Sequence, residues 1–329
     1  MSFARVMTFV FLSVSSFLFA ERPDVLKEQS FELLTGSYNE RDDKKRRFSE
    51  SDLLNLKMYS ENYTNTIGRM QLAEDMDFRI PQIIHFIWIG PRPFPEESIV
   101  NVQSWKDLHP EWRILFWTDS LERDCPIPEM EKHHIDELSY LALKPYLAKT
   151  TNYAEKADLI RYELLYEWGG VYVDHDVHCL RSFEICNRAF DFYAAIENPH
   201  TNTGCKATIY PCNCLIGARP AHPIIKNTID HVLLRWDEIG NKYPDNDPKS
   251  NFARVINRTF RAFALGVEGA LSVDGNIDMI FPSSYFFADK IFKRATREQL
   301  FEQGLIFAVH AFAGTWCGKK DTSSTSHTN

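Results

Sequence analysis

The pattern of apolar and polar positions divides the chain into a polar amino-terminal part and a domain built from strands and helices. From Ile80 onward, Pro81 precedes a dense apolar run over 82–90 that has the length of a strand. A second apolar run follows at 112–117, and the amphipathic pattern of 96–108 between them predicts a helix. Strand, helix and strand in this order predict a parallel sheet, whose ligands bind beyond the carboxyl ends of the strands.

The strongest chemical signal comes from a helix that is followed at once by a short strand. Residues 154–168 show helical periodicity, and the glycine pair 169–170 ends that helix. The apolar strand 171–173 then leads to Asp174 and Asp176, which point the same way if the extended geometry continues. Two carboxylates directly after an apolar strand are costly unless they are paired or bound to a metal, and they suit Mg²⁺ or Mn²⁺.

The same helix carries a second pair of charges. Asp158 and Arg161 stand three residues apart and therefore share a helix face. These two residues could belong to a functional site. The alternative is an ordinary ion pair on the helix surface, worth about 0.2–0.5 kcal/mol. Two further Asp-x-Asp matches, at 75–77 and 245–247, lack an apolar strand before them and are predicted to be solvated loops. The combination of the charged face, the glycine break, the strand and the paired aspartates favours a functional site.

Several segments, in the same order along the chain, resemble glycosyltransferase family 32, the Asp-x-Asp sugar transferases that include the yeast initiating α-1,6-mannosyltransferase. They are also similar to the glucosyltransferase domain of the large clostridial toxins. The segments that carry the resemblance are 80–90, 104–107, 157–162, 169–176 and 213–220, followed by His310 and Thr315-Trp316. The resemblance extends from about residue 80 to 317.

This resemblance implies an α/β fold of the GT-A type, a Rossmann-like mixed sheet flanked by helices. Its Asp-x-Asp loop would hold Mn²⁺ or Mg²⁺ against the donor pyrophosphate. By the same resemblance, Trp88 would stack on the nucleotide base and Asp158 would hold the ribose or base. Arg161, whose guanidinium is a fork of donors, would hydrogen-bond the transferred sugar and act in catalysis.

The resemblance also assigns the metal shell and the closing loop. Asp174 would contact ribose or sugar hydroxyls while supporting the metal, and Asp176 would be a direct metal ligand, so both are catalytic candidates. His310 would complete the metal shell or anchor the following loop. Trp316, after a predicted strand over 305–309, would close over the donor. Asn213 is assigned to the donor site, on the side that faces the acceptor.

One departure from the family pattern is that residues 266–274 lack the Gly-Pro signature of many relatives. This difference leaves the acceptor-side contacts open, but it does not affect the metal site.

The implied activity is a metal-dependent, retaining transfer of a hexose from a UDP- or GDP-hexose to a glycan, lipid or protein acceptor. A metallophosphoesterase that uses Asp176 with His175 and His178 is one alternative, although its companion motifs are absent from the sequence. A non-catalytic carbohydrate-binding protein on the same fold is another, although a decayed site has no need of its carboxylates and arginine.

Composition narrows the function only slightly. A chain of 329 residues accommodates one large α/β domain or two smaller ones. The net charge of −8 argues against a dedicated nucleic-acid binder. Seven cysteines are too sparse for a disulfide scaffold, and Cys212 and Cys214 lack the spacer of a zinc knuckle and are predicted to be structural.

The amino-terminal part consists of an apolar run and a polar lead-in, and each has more than one interpretation. The apolar run 6–20 suits the core of a signal peptide, with an uncleaved membrane anchor second and a buried helix third. Ser49 followed by Asp52 resembles a capping box, which predicts a short helix in a solvated lead-in. The alternative is a segment that docks on a membrane surface or a partner. The expected location is therefore secreted or lumenal, or anchored to a membrane by the first residues.

The predicted organisation is a signal peptide or anchor at 1–20, a polar helical lead-in at 21–79, a GT-A domain at 80–318 and a disordered tail at 319–329. Asn62 and Asn257 begin glycosylation sequons that are relevant only in a eukaryotic host.

Overall fold

The computed structural model describes residues 30–41, 43–140, 142–199, 209–244, 247 and 250–314. The predictions for residues 1–20, for the tail 319–329 and for Trp316 lie outside these ranges. Within them, no helix is long and apolar enough to span a membrane.

The strands of the described chain are β1 (Tyr38–Asn39), β2 (Lys44–Lys45), β3 (Ile83–Ile87), β4 (Arg113–Thr118), β5 (Glu131–His134), β6 (Gly170–Val173), β7 (Val177–Cys179), β8 (Phe192–Ala195), β9 (Leu215–Ala218), β10 (Asp278–Phe281) and β11 (Ala308–His310). The α-helices are α1 (Phe31–Leu34), α2 (Glu50–Thr66), α3 (Ile99–Leu108), α4 (Lys144–Leu147), α5 (Tyr153–Trp168), α6 (Glu184–Ala189), α7 (Pro223–Lys242), α8 (Asn251–Val255), α9 (Arg261–Ala270), α10 (Ser284–Ile291) and α11 (Arg294–Glu302).

The core of the described chain is a seven-stranded sheet with the order β10-β8-β9-β6-β3-β4-β5. Strand β9 runs antiparallel to both of its neighbours, and the other adjacent strands pair in parallel. A separate two-stranded ladder joins β11 to β7, with His310 paired to Val177. The mixed, mostly parallel sheet flanked by helices confirms the α/β fold class predicted from the sequence.

The predicted strand at the end of the domain differs in its bounds. Sequence reasoning places a strand over 305–309 with His310 after it, whereas β11 covers Ala308–His310. The pairing with β7 sets these bounds, because Val177 is the residue opposite His310. His310 is therefore held on a strand beside the Asp-x-Asp segment, a position that local periodicity does not reveal.

The lead-in is helical, as predicted, but it packs against the domain. The capping box of Ser49 and Asp52 is present and opens a helix of 17 residues, α2. Leu56, Tyr59 and Tyr63 of this helix are buried. The lead-in was predicted to be solvated. In the described part of the chain it packs against the domain instead, because these apolar residues lie on the inward face of the helix.

Asn62 fixes this layer to the sheet. Its side-chain amide donates to the carbonyl of Asp278 at 2.9 Å and accepts from the amide of Ile280 at 2.9 Å. It therefore replaces a missing neighbour strand at the edge strand β10. An asparagine held in this way is not available for glycosylation in the folded protein.

Candidate functional site

Helix α5 and strand β6 are joined by two glycines whose conformations only glycine adopts easily. Asn152 caps the helix by accepting from the amides of Ala154 and Glu155. Gly169 has φ +64° and Gly170 has φ +96°. A Cβ at Gly169 would lie 2.6 Å from Pro220, and one at Gly170 would lie 2.7 Å from a carbonyl of β3. This close turn sets the helix beside the strand that carries the paired aspartates.

Arg161 is buried and binds three groups, so it is not a surface residue. It is 5% exposed and its partner Asp158 is 7% exposed. Its Nη2 lies 3.0 Å from Asp158 Oδ1 and 3.1 Å from Asp174 Oδ1, and its Nη1 donates to the carbonyl of Asn213. The guanidinium also lies over the ring of Tyr172, 4.2 Å from its centroid. The alternative of a surface ion pair is wrong for this pair, because both side chains face the interior.

Asp158 is held by partners on both of its oxygens. The side-chain amide of Asn213 donates to Oδ1 at 3.1 Å, and the hydroxyl of Thr259 donates to Oδ2. Burial raises the pKa of Asp158 to about 6, although Arg161 and Thr259 oppose the rise. A carboxylate with this pKa is ionised at neutral pH and changes charge within a range that an enzyme encounters.

The Asp-x-Asp residues lie in a tight turn and not in a continued strand. Strand β6 ends at Val173, and the amide of Val177 donates back to the carbonyl of Asp174 at 3.1 Å. The expectation that extended geometry aligns the two aspartates is therefore wrong. The two carboxylates converge because the chain reverses between them.

Asp174, Asp176 and His310 form a cluster that could hold a metal ion. One ligand atom from each residue lies within 4.8 Å of the others. The nitrogen of His310 that faces the carboxylates is Nε2, which lies 3.2 Å from Asp176 Oδ1. Two carboxylates and an imidazole are a donor set that fits Mn²⁺, since an all-oxygen set would be typical of Mg²⁺. The residues present therefore fit the divalent ion that the sequence implies.

The acid and the base of this cluster stabilise each other's charge. His310 Nε2 lies 3.2 Å from Asp176 Oδ1, and the amide of Ala313 donates to Asp176 Oδ2 at 2.7 Å. Burial favours the neutral form of each group, yet the facing partner outweighs burial. It lowers the pKa of Asp176 well below its usual range and raises the pKa of His310. A cation that binds here would take the place of the imidazolium proton.

Trp88 lies beside this cluster at the end of β3. It is half-buried, and its indole N–H donates to the carbonyl of Arg92 at 2.9 Å. Its ring meets the ring of His175 edge to face, with 5.0 Å between centroids. Because His175 lies between the two aspartates in sequence, Trp88 adjoins the Asp-x-Asp turn. Trp88 is partly buried against the hydrophobic core, and its stacking on a nucleotide base stays a prediction.

The structure thus brings most of the predicted site residues together. Asp158, Arg161, Asp174 and Asn213 share one hydrogen-bonded network, and Asp174 also belongs to the cluster with Asp176 and His310. Trp316 lies outside the described residues, so its closing role stays a prediction. Of the other Asp-x-Asp matches, Asp75 and Asp77 are exposed as predicted, whereas Asp245 lies outside the described residues. Cys212 and Cys214 are buried free thiols, consistent with a structural role.

Three contacts at the site were missed by sequence reasoning. The hydroxyl of Tyr172 donates to Asp174 Oδ1 at 2.6 Å. Strand alternation could have found it, because residues 172 and 174 are two apart. The amide of Ala313 and the hydroxyl of Thr259 come from segments more than 100 residues away in sequence. No local pattern points to either of them.

Part of the chain matches a known protein family. Residues 95–194 match the family described as "Glycosyltransferase sugar-binding region containing DXD motif". The predicted family resemblance is confirmed. This glycosyltransferase region contains α5, β6 and the Asp-x-Asp turn, but it contains neither Trp88 nor His310.

Two curated relatives come from fission yeast, Schizosaccharomyces pombe. Inositol phosphoceramide mannosyltransferase 3 is 34% identical over 114 residues, which are 35% of this chain and 29% of the relative. Inositol phosphoceramide mannosyltransferase 2 is 36% identical over 161 residues, 48% of this chain and 41% of the relative. The chain therefore spans less than half the length of these two relatives.

Among solved structures, the chain is similar to the catalytic domain of alpha-toxin from Clostridium novyi. The TM-score is 0.39 and the identity is 12%, over 67% of this chain and 71% of the toxin domain.

Proposed function

We propose that this chain is a metal-dependent, retaining glycosyltransferase that moves a hexose from a UDP- or GDP-hexose to an acceptor. One observation carries the proposal. The carboxylates of Asp174 and Asp176 and the imidazole of His310 converge within 4.8 Å beside the buried Arg161. Negative groups that bind a cation thus adjoin a guanidinium that can bind hydroxyls, the combination that a nucleotide sugar requires.

The residues divide the work of the reaction. Asp174, Asp176 and His310 would hold the divalent ion, which when bound acts as a Lewis acid for the charge that develops on the leaving diphosphate. Arg161 is held in place by Asp158, Asp174 and the Asn213 carbonyl, and it would bind the sugar through the N–H groups that these partners leave. Retention of the anomeric configuration rests on the family resemblance alone, and NMR of the newly formed product would test it.

The names of the curated relatives suggest which substrates to test first. Both are described as inositol phosphoceramide mannosyltransferases. We therefore propose mannose as the first hexose to test and a phosphoinositol-containing lipid as the first acceptor, with glycans and proteins as the other two classes. A nucleotide-sugar panel, incubated with the protein and Mn²⁺ and assayed for free nucleoside diphosphate, is the direct experiment.

The nucleotide-sugar panel distinguishes a glycosyltransferase from the two alternative functions. We expect at least one nucleotide sugar to be turned over, and the turnover to stop when EDTA is added. Hydrolysis of simple phosphoesters without any action on nucleotide sugars would support a metallophosphoesterase. Binding of a sugar without turnover of any donor would support the non-catalytic alternative.

Trp88 gives a test of the base-binding site. Trp88→Ala should raise the donor KM about ten- to a hundredfold, because stacking of a base on an aromatic ring is worth roughly 1–3 kcal/mol. Trp88→Phe keeps a smaller aromatic ring, so its donor KM should lie between that of the wild type and that of Trp88→Ala. Steady-state kinetics and thermal melting of both variants check the result. Loss of cooperative folding in Trp88→Ala would mean that the ring serves the core.

The carboxyl of Asp158 should make the donor KM depend on pH. With its pKa raised to about 6, it is charged above that pH and accepts donor hydroxyls best there. The donor KM should therefore rise as the pH falls through about 6, at saturating Mn²⁺. Asp158→Asn cannot titrate and should lack this step while keeping any pH dependence that comes from the metal site. If the donor KM of Asp158→Asn depends on pH in the same way as that of the wild type, Asp158 does not take part in donor binding.

The apolar amino-terminal run bears on where the protein is located. The apolar run at 6–20 suits a signal peptide or an anchor, so we propose a secreted, lumenal or membrane-anchored protein. Expression with and without residues 1–20, followed by fractionation, distinguishes these outcomes.

A further inference from the structure

The contact between Thr259 and Asp158 comes from an unusual helical turn. Residues Ile256–Phe260 form a π-helical turn between α8 and α9. Single π turns are rare and are frequent at functional sites, because the extra residue in the turn re-aims the side chains that follow. Here the turn meets the face of α5 that includes Asp158.

Three contacts join this turn to that face. Arg258 Nη1 lies 2.9 Å from Glu155 Oε1, and the hydroxyl of Tyr162 donates to the carbonyl of Thr259 at 3.2 Å. The third contact is the hydroxyl of Thr259 to Asp158. The first two do not involve the threonine side chain. The hydroxyl of Thr259 makes the one contact of the three that reaches Asp158, and a change of this side chain would remove it.

The hydroxyl of Thr259 has two acceptors and one proton. Its Oγ1 lies 3.0 Å from the carbonyl of Val255, the usual position of a threonine bonded back along its own helix. The ionised carboxylate is the stronger acceptor, so the proton goes to Asp158. Without this donor, Oδ2 of a side chain that is 7% exposed would lose its partner. The Thr259 hydroxyl also opposes the rise in the pKa of Asp158 that burial causes.

We propose that Thr259 is a positioning residue, which through its hydroxyl fixes the carboxylate of Asp158 in the orientation that binds the nucleotide-sugar donor. This role rests on the proposed glycosyltransferase function. It acts through Asp158 and not by contact with the donor. A hydrogen bond to a charged group is among the stronger single contacts in proteins, so its loss should be visible in donor affinity.

The test uses an isosteric change and a matched control. Thr259→Val keeps the volume and removes the hydroxyl, and it should raise the donor KM on the order of ten- to a hundredfold with little change in kcat. Thr259→Ser should restore KM to within about threefold, because the hydroxyl returns. Thr228→Val is the control, since Thr228 is also buried and bonds back to Ile224 O at 2.8 Å but contacts no carboxylate of the site.

A double-mutant cycle with Asp158→Asn makes the test specific. Once Asp158 is neutral, Thr259→Val should add little to the loss of donor affinity. Calorimetric binding of the nucleoside diphosphate gives the same comparison without turnover. If Thr259→Val leaves donor affinity unchanged while Asp158→Asn weakens it, the positioning role is wrong and the proposed function stands. A failure of the proposed function shows in the wild type, which would bind no nucleotide sugar, and it overturns this role as well.

Discussion

Asp176→Asn should reduce donor turnover on the order of a thousandfold, because a lost metal ligand removes several kcal/mol of transition-state stabilisation. The substitution hardly changes volume, so the protein should stay folded. Asp75→Asn, in the exposed Asp-x-Asp match of the lead-in, is the matched control and should be almost silent. Turnover and Mn²⁺-induced melting shifts are measured for both. Wild-type turnover in Asp176→Asn would place the metal site elsewhere.

The stability of the same variant without metal depends on two opposing effects. Repulsion between two clustered carboxylates suggests that metal-free Asp176→Asn is as stable as the wild type or more stable. The structure pairs Asp176 with His310 and with the amide of Ala313. The pKa of Asp176 is lowered in the fold, so its charge adds stability that is present above the unfolded-state pKa and lost at lower pH. At neutral pH the variant should therefore melt at a lower temperature than the wild type.

Arg161→Lys should lower kcat by at least about a hundredfold while keeping the positive charge. The wild-type guanidinium reaches Asp158, Asp174 and the Asn213 carbonyl at once, and a single ammonium cannot span all three. The sugar would then meet a cation without the planar fork that orients it. Single-turnover kinetics with saturating donor separate this effect from donor binding.

Arg113→Lys is the control for the loss of an arginine fork. Arg113 donates to Glu131 through Nε at 2.9 Å and through Nη2 at 2.6 Å, and neither residue belongs to the proposed site. This variant should turn over the donor at close to the wild-type rate. Near-normal turnover in Arg161→Lys would show that Arg161 serves only to hold its protein partners.

The local parts of the fold could be predicted from the sequence because their causes are local. Strands β3 and β4, the helix between them and the end of α5 at the glycine pair follow from periodicity and from the φ angles that glycine permits. The capping box of α2 follows from two side chains three residues apart. The choice of Asp174 and Asp176 over the other two Asp-x-Asp matches also follows from the sequence, because only that pair comes directly after an apolar strand.

What the sequence could not supply depends on contacts between distant segments. The attachment of α2 to β10 involves Asn62, whose partners lie more than 200 residues away. The position of His310 depends on the pairing of β11 with β7. The turn at the Asp-x-Asp residues and the π turn at Thr259 depart from ideal geometry, and periodicity describes only ideal geometry.

We propose that the Asp-x-Asp cluster binds a divalent ion together with the nucleoside diphosphate. Electron paramagnetic resonance of a Mn²⁺ titration, with and without UDP or GDP, measures this directly because bound Mn²⁺ loses its free-ion signal. We expect one Mn²⁺ per chain, tighter binding when the correct nucleoside diphosphate is present, and loss of that binding in Asp176→Asn. Equal Mn²⁺ binding by the wild type and Asp176→Asn, or no effect of either nucleotide, would contradict the account.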